Sequence, residues 1–159
     1  MINILNLSFS NMLSFGPNNT IQFEERVVQL DGKNGAGKSS IPTILEELYY
    51  NKNSRGLKKS TLLNRYCGSK SYSASSEFTC GEDTYVISKI VTSTASVKLT
   101  KNGKDISGHT ATQTYAELEK ILGVDFTTFS KLVYQSMASS LDFLSATDAN
   151  RKKFLVSLS

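Results

Sequence analysis

The first thirty residues alternate between apolar and polar positions in short runs. Residues 2–9, 20–23 and 26–30 have the alternation or the β-branched content that is typical of strands. Residues 16–19 predict a turn, because Pro17 fixes φ and asparagine tolerates left-handed backbone. The pattern therefore predicts three short strands before residue 31.

Helical spacing begins soon after the third strand. The apolar positions 41, 44, 45 and 48 fall on one face of a helix predicted over residues 39–50. Pro42 lies inside this range, and proline is tolerated in a first turn, where its missing N–H would be unpaired anyway. We therefore expect either a kink at Pro42 or an irregular first turn.

The middle third predicts an antiparallel meander. Strand-like runs cover residues 74–79, 84–91 and 96–99, with short polar turns between them. Asn102-Gly103, after the third run, suits a two-residue type I′ hairpin loop. Residues 51–72, before the meander, are polar, basic and weakly patterned, and they predict a loop.

The last third has helical spacing. A helix over residues 112–122 ends at Gly123, which can adopt the left-handed C-cap conformation. Asp125 can then cap a second helix that runs to about Tyr134. Each helix has its own start or stop signal, so the boundary between them is predicted at residues 123–125.

A polar stretch at residues 135–140 interrupts the helical pattern, and Thr147 can cap a final helix. Short strands, one early helix, a meander and further helices predict the α/β class. No repeat or linker divides the chain, so residues 1–159 are expected to form a single lobe.

Composition argues against several classes of protein. Hydrophobic residues make up 39% of the chain and charged residues 20%, as in a globular domain. No apolar run approaches the roughly 20 residues that span a bilayer. The N-terminus lacks a signal-peptide pattern, so we expect a cytoplasmic protein without a membrane partner. Cys67 and Cys80 lack metal-ligand spacing and His109 lies in a turn-like loop, which argues against zinc sites and histidine triads.

Basic residues are unevenly distributed in a chain whose net charge is +4. No acidic residue occurs between Glu47 and Glu77. The basic residues in that interval are Lys52, Arg55, Lys58, Lys59, Arg65 and Lys70. Such an excess favours a phosphate-rich partner, and it is equally typical of a solvated loop. The sequence leaves both interpretations open.

A glycine-rich loop joins the third strand to the first helix. Residues 32–39 read Gly-Lys-Asn-Gly-Ala-Gly-Lys-Ser and fit the P-loop pattern G-x-x-x-x-G-K-[ST] at every fixed position. Glycines let successive N–H groups point at phosphate oxygens beside the positive end of the helix dipole. Lys38 is expected to bridge the β- and γ-phosphates and Ser39 to coordinate Mg²⁺. The predicted contacts to ATP are Gly32, Asn34, Gly35, Ala36, Gly37, Lys38, Ser39 and Ser40.

ATP hydrolysis requires a second motif, an acidic residue at the end of a hydrophobic strand. Residues 121–125 end in Asp125, but they terminate an amphipathic helix. Residues 28–31 end in Asp31, but they adjoin the P-loop itself. Because neither segment qualifies, the chain is predicted to hold half of an ATPase site, which binds ATP and hydrolyses little alone.

These motifs, in this order, resemble the N-terminal ATPase lobe of SMC-related DNA-repair ATPases. The resemblance is to the SbcC-type subunits of exonuclease complexes, especially the phage subunits that serve in recombination. It covers essentially the whole chain. Residues 10–16 are similar to N-F-x-S-F-G, residues 34–40 to N-G-x-G-K-S-S, residues 62–64 to L-I-N, and residues 122–125 with Phe129 to L-G-x-D…F.

Two residues depart from the family pattern. Leu13 stands where the family has a basic residue, and Pro42 stands where an aliphatic residue is usual. The signature motif, Walker B motif, D-loop and switch histidine are absent. In the family they follow a coiled coil, so the resemblance implies that this chain is the N-terminal piece of a longer protein.

The resemblance implies an ABC/SMC-type lobe, with a mixed sheet around the P-loop helix, an antiparallel meander, and C-terminal helices leading toward a coiled coil. Gln135 falls at the position of the family's Q-loop glutamine, where it would contact Mg²⁺ or the attacking water and act in catalysis with Lys38.

The resemblance also implies partners: a C-terminal ATPase lobe of the same or a second protomer, an SbcD-type nuclease and double-stranded DNA ends. A phage-encoded chain would act in the host cytoplasm. Candidate contacts to DNA phosphates are Lys58, Lys59, Arg65, Lys98, Lys101 and Lys104.

Two other functions remain open at this point. One is an SMC-like head that works without a nuclease partner. The other is a self-contained small P-loop phosphotransferase, which would need its own acceptor site and carboxylate within these residues.

Overall fold

The structure is a computed structural model that describes residues 2–23, 27–28, 40–64, 66, 68–146, 152–153 and 157–158. For residues 27–28, 137–146, 152–153 and 157–158 only the backbone is described. Ten strands and four helices lie within these ranges.

Most of the strands form one antiparallel sheet of eight. In chain order its members are β1 (Ile2–Ile4), β2 (Asn6–Ser10), β3 (Asn19–Gln22), β5 (Tyr72–Cys80), β6 (Asp83–Val91), β7 (Ala95–Lys101), β8 (Lys104–Asp105) and β10 (Ser157–Leu158). Their order across the sheet is β10-β1-β5-β6-β7-β8, with β2 beside β5 and β3 beside β2. The two remaining strands, β4 (Val27–Val28) and β9 (Lys152–Lys153), pair with each other. The predicted α/β class is confirmed, but in the described ranges the sheet that was expected to be mixed has only antiparallel strand pairs.

Strands β5 to β8 form the predicted meander, and each is joined to the next by a short turn. The turn before β8 is the predicted Asn102-Gly103 loop. Asn102 has φ 50° and Gly103 has φ 84°, the two positive values that a type I′ turn requires. The strands are longer than predicted, because pairing with both neighbours extends β5 and β6 to nine residues each.

The alternation along the central strands separates two faces of the sheet. One face, here called the inner face, is buried and carries Tyr72, Ala74, Ser76 and Phe78 of β5 and Tyr85, Ile87, Lys89 and Val91 of β6. The opposite face, here called the outer face, is only partly covered and carries Ser73, Ser75, Glu77, Val86, Ser88 and Ile90. Because β6 pairs with β7 in the register Ser88↔Lys98, Lys98 also lies on the outer face.

Two helices, α1 (Ile41–Tyr50) and α3 (Ala111–Leu122), pack on the inner face, and α4 (Phe126–Ala146) packs against α1. The remaining helix, α2 (Lys59–Leu62), is a single turn within residues 51–71, here called the basic loop. The ring of Tyr49 on α1 lies 5.5 Å from that of Phe78 on β5 and 5.3 Å from that of Phe129 on α4. These aromatic contacts, at distances typical of buried ring pairs, join the sheet and two helices in one core.

The helix boundaries agree with their sequence signals. Helix α1 runs without a break from Ile41 to Tyr50, so Pro42 lies in a regular first turn, where proline needs no N–H partner, and the expected kink or irregular turn does not occur. Helix α3 ends at Gly123, whose φ of 71° is the predicted left-handed C-cap. The Thr128 backbone N–H donates to Asp125 Oδ1 at 2.8 Å, which is the predicted N-cap of α4.

Three expectations about helices were wrong. Helix α4 continues through residues 135–140 to Ala146, because that stretch is polar but contains neither proline nor glycine to stop it. The final helix expected after Thr147 conflicts with β9 and β10, which are extended and pair with β4 and β1. The loop predicted over 51–72 contains α2, whose four residues are too few to show a clear apolar periodicity in the sequence. No helix among the described residues is both long enough and apolar enough to cross a membrane.

Gly123→Ala should lower the free energy of unfolding by about 1–2 kcal/mol, because an L-residue is strained at φ 71° while the space around a new Cβ is empty. Gly16→Ala is the matched control, since its site is equally open and its φ is not left-handed. The control should be neutral or slightly stabilising. Urea denaturation measures both, and an equal effect of the two substitutions would contradict the assignment of strain.

Candidate nucleotide site

The described elements on either side of the glycine-rich loop form the frame of a P-loop. Strand β4 precedes the loop and α1 follows it. The residues of the loop itself, 32–39, lie outside the described residues, so the roles of Gly32, Asn34, Gly35, Ala36, Gly37, Lys38 and Ser39 stay predictions. Ser40 is described, and it is buried at the N-cap of α1, where its carbonyl accepts the Ile44 N–H at 3.0 Å.

The start of α1 suits an anion. No acidic residue occupies its first turn, so nothing there neutralises the positive end of the helix dipole. One turn into the helix, the hydroxyl of Thr43 is fully buried and has no hydrogen-bond partner among the described residues. A polar atom left unpaired in this position fits a neighbouring loop that holds phosphate, which is the group the motif predicts.

Helix α1 is buried along nearly its whole length, from Ile41 to Tyr49. The Tyr49 hydroxyl lies 2.7 Å from Ser76 Oγ on β5, and Ser76 Oγ donates to the Asn6 carbonyl at 2.6 Å. The Tyr50 hydroxyl donates to the Val124 carbonyl at 2.6 Å, between α3 and α4. These bonds fix the helix against both layers, so it cannot move as an isolated element.

Two consecutive glutamates near the end of α1 are buried, and the first of them ties the helix to α4. Glu46 is fully buried and accepts a hydrogen bond from Ser130 Oγ of α4 at 2.7 Å. The Ser54 backbone N–H also donates to this carboxylate, at 3.3 Å. Glu46 therefore joins the P-loop helix to both α4 and the basic loop that follows α1.

The second glutamate, Glu47, lies between two lysines. Its Oε2 is 3.0 Å from Lys59 Nζ and 3.5 Å from Lys89 Nζ. The Lys89 side chain is 3% exposed and comes from the inner face of β6, whereas the Lys59 side chain is 42% exposed. Asn51 Oδ1 accepts from both ammonium groups at 2.6 Å, and Asn53 Nδ2 donates to Glu47 Oε1 at 2.6 Å. The cluster joins α1, the basic loop and the sheet through charged hydrogen bonds.

Burial and neighbouring charges shift the pKa values in this cluster. Burial of the Lys89 ammonium, together with the nearby Lys59, lowers the pKa of Lys89 to about 7. Burial raises the pKa of Tyr115, and the negative charge of Glu47 raises it further. The Tyr115 hydroxyl therefore stays protonated, and it donates to the Leu48 carbonyl at the end of α1, at 2.9 Å.

Gln135, the predicted Q-loop residue, lies within α4 rather than after a helix, and its side chain is exposed. Phe129 and Val133 form the buried stripe of α4. Gln135 is about 200° around the helix from Val133, because successive residues are about 100° apart. It therefore points away from the side of α4 that packs against α1. Its contact with Mg²⁺ or water stays a prediction.

The candidate DNA contacts occupy different parts of the surface. Lys98 is on the outer face, while Lys101 and Lys104 are opposite each other in the β7–β8 hairpin, with Lys101 Nζ 3.7 Å from Asp83. Lys58 is exposed at the start of α2, and Lys59 is paired with Glu47 on the helical side of the sheet. Arg65 lies outside the described residues. The structure thus does not unite the six candidates in one patch.

The remaining sequence candidates have ordinary surroundings. His109 is exposed just before α3. Cys80 is a half-buried free thiol, and Cys67 lies outside the described residues. Leu13, at the family's basic position, packs against the core. Within the described ranges no three histidine, cysteine or carboxylate groups are close enough to hold a metal ion.

Sequence reasoning missed the buried cluster around Glu46, Glu47 and Lys89. Its one signal is the Glu-Glu pair within the apolar run of α1, where charged residues are costly unless they find partners. The partners come from loop, sheet and α4, up to 84 positions away along the chain, and no local pattern identifies them.

Comparison with known proteins gives two curated relatives of interest. The chain is 56% identical over 158 residues to the "Probable exonuclease subunit 2" of Escherichia phage T5, a match that covers 99% of this chain and 26% of the phage protein. It is 26% identical over 153 residues to the "DNA double-strand break repair Rad50 ATPase" of Methanococcus maripaludis, covering 96% of this chain and 15% of that protein. The chain thus spans about a quarter or less of the length of these relatives. It matches no protein-family model.

Solved structures of ATPase heads share the fold. The Smc head domain of Pyrococcus furiosus, solved with an extended coiled coil and bound to the C-terminal domain of ScpA, matches with a TM-score of 0.56. The match has 22% sequence identity and covers 77% of this chain and 33% of that one. At this identity the likeness establishes the fold of an SMC-type ATPase head and nothing further.

Raising the pH from 7 to 9.5 should increase the free energy of unfolding through Lys89, by on the order of 1 kcal/mol or more. The pKa of Lys89 is about 7 in the folded chain, whereas a free lysine has a pKa of 10.5. Between these values the unfolded chain holds a proton that the folded chain has released, so unfolding takes up a proton and becomes less favourable as pH rises.

Urea denaturation at the two pH values measures this effect. Lys89→Met should remove the increase, whereas Lys120→Met, which changes an exposed lysine of α3, should retain it. Parallel pH profiles for the wild type and Lys89→Met would show that Lys89 does not titrate in this range.

Proposed function

We propose that this chain, which belongs to the SMC-related ATPases of the SbcC type, is the ATP-binding half of an ATPase head that controls the processing of DNA ends by a nuclease partner. The observation that carries the proposal is a P-loop sequence at residues 32–39 between a strand and a buried helix, in a chain 56% identical to a phage exonuclease subunit.

ATP and Mg²⁺ are the proposed ligands of the P-loop. Backbone N–H groups of residues 32–39 would surround the phosphates, Lys38 would contact the β- and γ-phosphates, and Ser39 would bind the metal. Bound Mg²⁺-ATP supplies a γ-phosphoryl group for transfer to water. The roles of the chain's own residues are to bind the phosphates, orient the metal and exclude solvent along the start of α1.

Hydrolysis requires groups from outside this chain. Asp125, the acidic residue that superficially resembles a Walker B aspartate, is engaged as the N-cap of α4 through the Thr128 N–H. A cap at the start of a helix is not the end of a hydrophobic strand, so it is unsuited to hold Mg²⁺ beside the P-loop. We therefore infer that a C-terminal ATPase lobe, of the same or a second protomer, supplies the missing carboxylate.

Gln135 is proposed to contact the bound metal or the attacking water when the C-terminal lobe closes over the P-loop. It lies on α4, which Glu46 and Phe129 hold against the P-loop helix, and its side chain is free of the core. An exposed amide on a helix that is rigidly attached to α1 can reach a ligand or water when the second lobe closes.

A nuclease partner and DNA are proposed from the relatives. The phage relative is named as an exonuclease subunit and the archaeal relative as a DNA double-strand break repair ATPase. The exposed basic residues Lys58, Lys98, Lys101 and Lys104 are the proposed contacts to DNA phosphates, together with Lys59 and Arg65. A chain acting on DNA ends in a phage system would work in the host cytoplasm.

The other two functions have less support. An SMC-like head without a nuclease shares the fold, but the relative at 56% identity is named "Probable exonuclease subunit 2". A self-contained phosphotransferase would need its own carboxylate on a separate strand, and of the two considered, Asp125 is the α4 cap and Asp31 directly adjoins the P-loop sequence.

ATP binding and turnover by this chain alone, with Mg²⁺ present, test the half-site. We expect binding with negligible turnover, and Lys38→Ala should weaken binding roughly 10- to 100-fold, because a charge-assisted contact contributes about 1.5–3 kcal/mol. Lys131→Ala, on the exposed side of α4, is the control and should bind normally. Steady turnover that is lost in Lys38→Ala would instead indicate a complete enzyme.

The salt dependence of duplex DNA binding tests the phosphate contacts. The double substitution Lys98→Ala with Lys104→Ala should reduce the slope of log K against log salt by about two, since each lost contact removes roughly 0.9. A charge-matched pair on the helices, Lys120→Ala with Lys131→Ala, should leave the slope unchanged. Equal slopes for the two double variants would exclude the hairpin as a DNA contact.

A further inference from the structure

Tyr66 presents its aromatic ring almost entirely to solvent. Tyr66 lies in the part of the basic loop between α2 and β5, and the residue is 95% exposed. Among the described residues the other large hydrophobic residue that is exposed is Ile90, at 55% on the outer face. A tyrosine ring is a large flat apolar surface with a polar tip, so a ring this exposed has most of its surface available to a ligand.

The backbone that carries Tyr66 is held in place. Leu62 is fully buried, and its carbonyl accepts from the Leu13 N–H at 2.7 Å. The Asn64 N–H donates to the Asn11 carbonyl at 2.8 Å, and Asn64 Nδ2 donates to the Phe15 carbonyl at 2.9 Å. The Tyr66 N–H donates to Asn64 Oδ1 at 2.8 Å. The ring therefore extends from a braced segment, which lowers the entropy lost when a ligand packs on it.

The surroundings of Tyr66 along the chain favour an anionic ligand. No acidic residue occurs between Glu47 and Glu77. Arg55, Lys58 and Lys70 are exposed in this interval, while Lys59 is partly neutralised by Glu47. An exposed aromatic ring among basic residues is the combination by which proteins hold single-stranded nucleic acid, with bases on the ring and phosphates on the cations.

We propose that Tyr66 is a stacking platform for an unpaired base of DNA, with Lys58 and Lys70 attracting the adjoining phosphates. The ligand is single-stranded rather than duplex DNA, because both faces of a base pair inside a duplex are already covered by its neighbours in the stack, and only the terminal pair has an open face. The proposal deepens the proposed function and rests on it: a lobe that serves DNA ends would meet unpaired bases where an end is frayed or resected.

Tryptophan fluorescence tests the contact directly, since the chain contains no tryptophan. Tyr66→Trp introduces a single emitter at the platform, and Ala116→Trp introduces one at an exposed control position on α3, away from the proposed DNA contacts. The probes are oligothymidine, a duplex with a single-stranded tail, and a blunt duplex. We expect oligothymidine and the tailed duplex to quench the Tyr66→Trp emission about twofold or more, the blunt duplex, in which only the terminal pairs have an open face, to quench it less, and the Ala116→Trp emission to respond to none of the three.

Affinity gives the second measurement. Tyr66→Ala should weaken binding of oligothymidine about 5- to 100-fold, whereas Tyr66→Phe, which keeps the ring, should bind as the wild type does. If DNA is bound but the Tyr66→Trp emission does not change, or if both reporters respond equally, the stacking proposal is overturned and the DNA function stands. If the wild type binds none of the three probes, both fail. An exposed tyrosine that serves a protein partner would leave every DNA measurement unaltered.

Discussion

The Glu47 carboxylate constrains the rest of the structure, because α1 carries this charge into the protein interior. A buried charge without partners destabilises a protein by several kcal/mol, so the fold must bring cations to it. Lys89 comes from the centre of the sheet and Lys59 from the loop after α1, and Asn51 lies between the two ammonium groups. This one carboxylate therefore constrains the position of the sheet, the path of the loop after α1 and the orientation of α1 together.

This arrangement has a mechanical consequence for a helix that begins at a P-loop. Glu46 binds α4 and the backbone of Ser54, and Glu47 binds the loop at Asn53 and Lys59. With the body of α1 buried from Ile41 to Tyr49, a displacement at its N-terminus must carry the helix as a rigid unit. The basic loop would move with it, because its polar anchors are side chains of that helix. Hydrogen bonds and the Glu47–Lys59 ion pair thus connect α1, whose N-terminus faces the P-loop, with the loop that leads to Tyr66.

Local signals in the sequence predicted the features that depend on local physics. Pro42 in a first turn, the Asn102-Gly103 hairpin and the Gly123 cap each follow from the backbone preferences of one or two residues. The meander followed from alternation. The extent of α4 was wrong because polarity at residues 135–140 was interpreted as a break, although polarity determines exposure and only proline or glycine would have stopped the helix.

Long-range contacts were beyond the reach of these signals. The pairing of Lys153 with Val27 and of Leu158 with Ile2 joins segments more than 120 positions apart, where the sequence had instead predicted a final helix after Thr147. The same applies to Glu46 and Glu47, whose partners are distant in sequence. The P-loop is the reverse case: its motif is fully local, so the sequence predicts its chemistry although residues 32–39 lie outside the described part of the chain.

The division of the sheet into two faces bears on how DNA could be bound. Lys98 lies opposite Ser88 on the outer face, whereas Lys89, one position along β6, points inward to Glu47. Lys59 is on that inner side, with its ammonium already shared with a carboxylate. A straight duplex lying across the outer face can therefore reach Lys98 but not Lys59. Phosphate contacts at the hairpin and base contacts at the basic loop would then involve different segments of one DNA molecule, which is the geometry of a duplex whose end is opened into single strands.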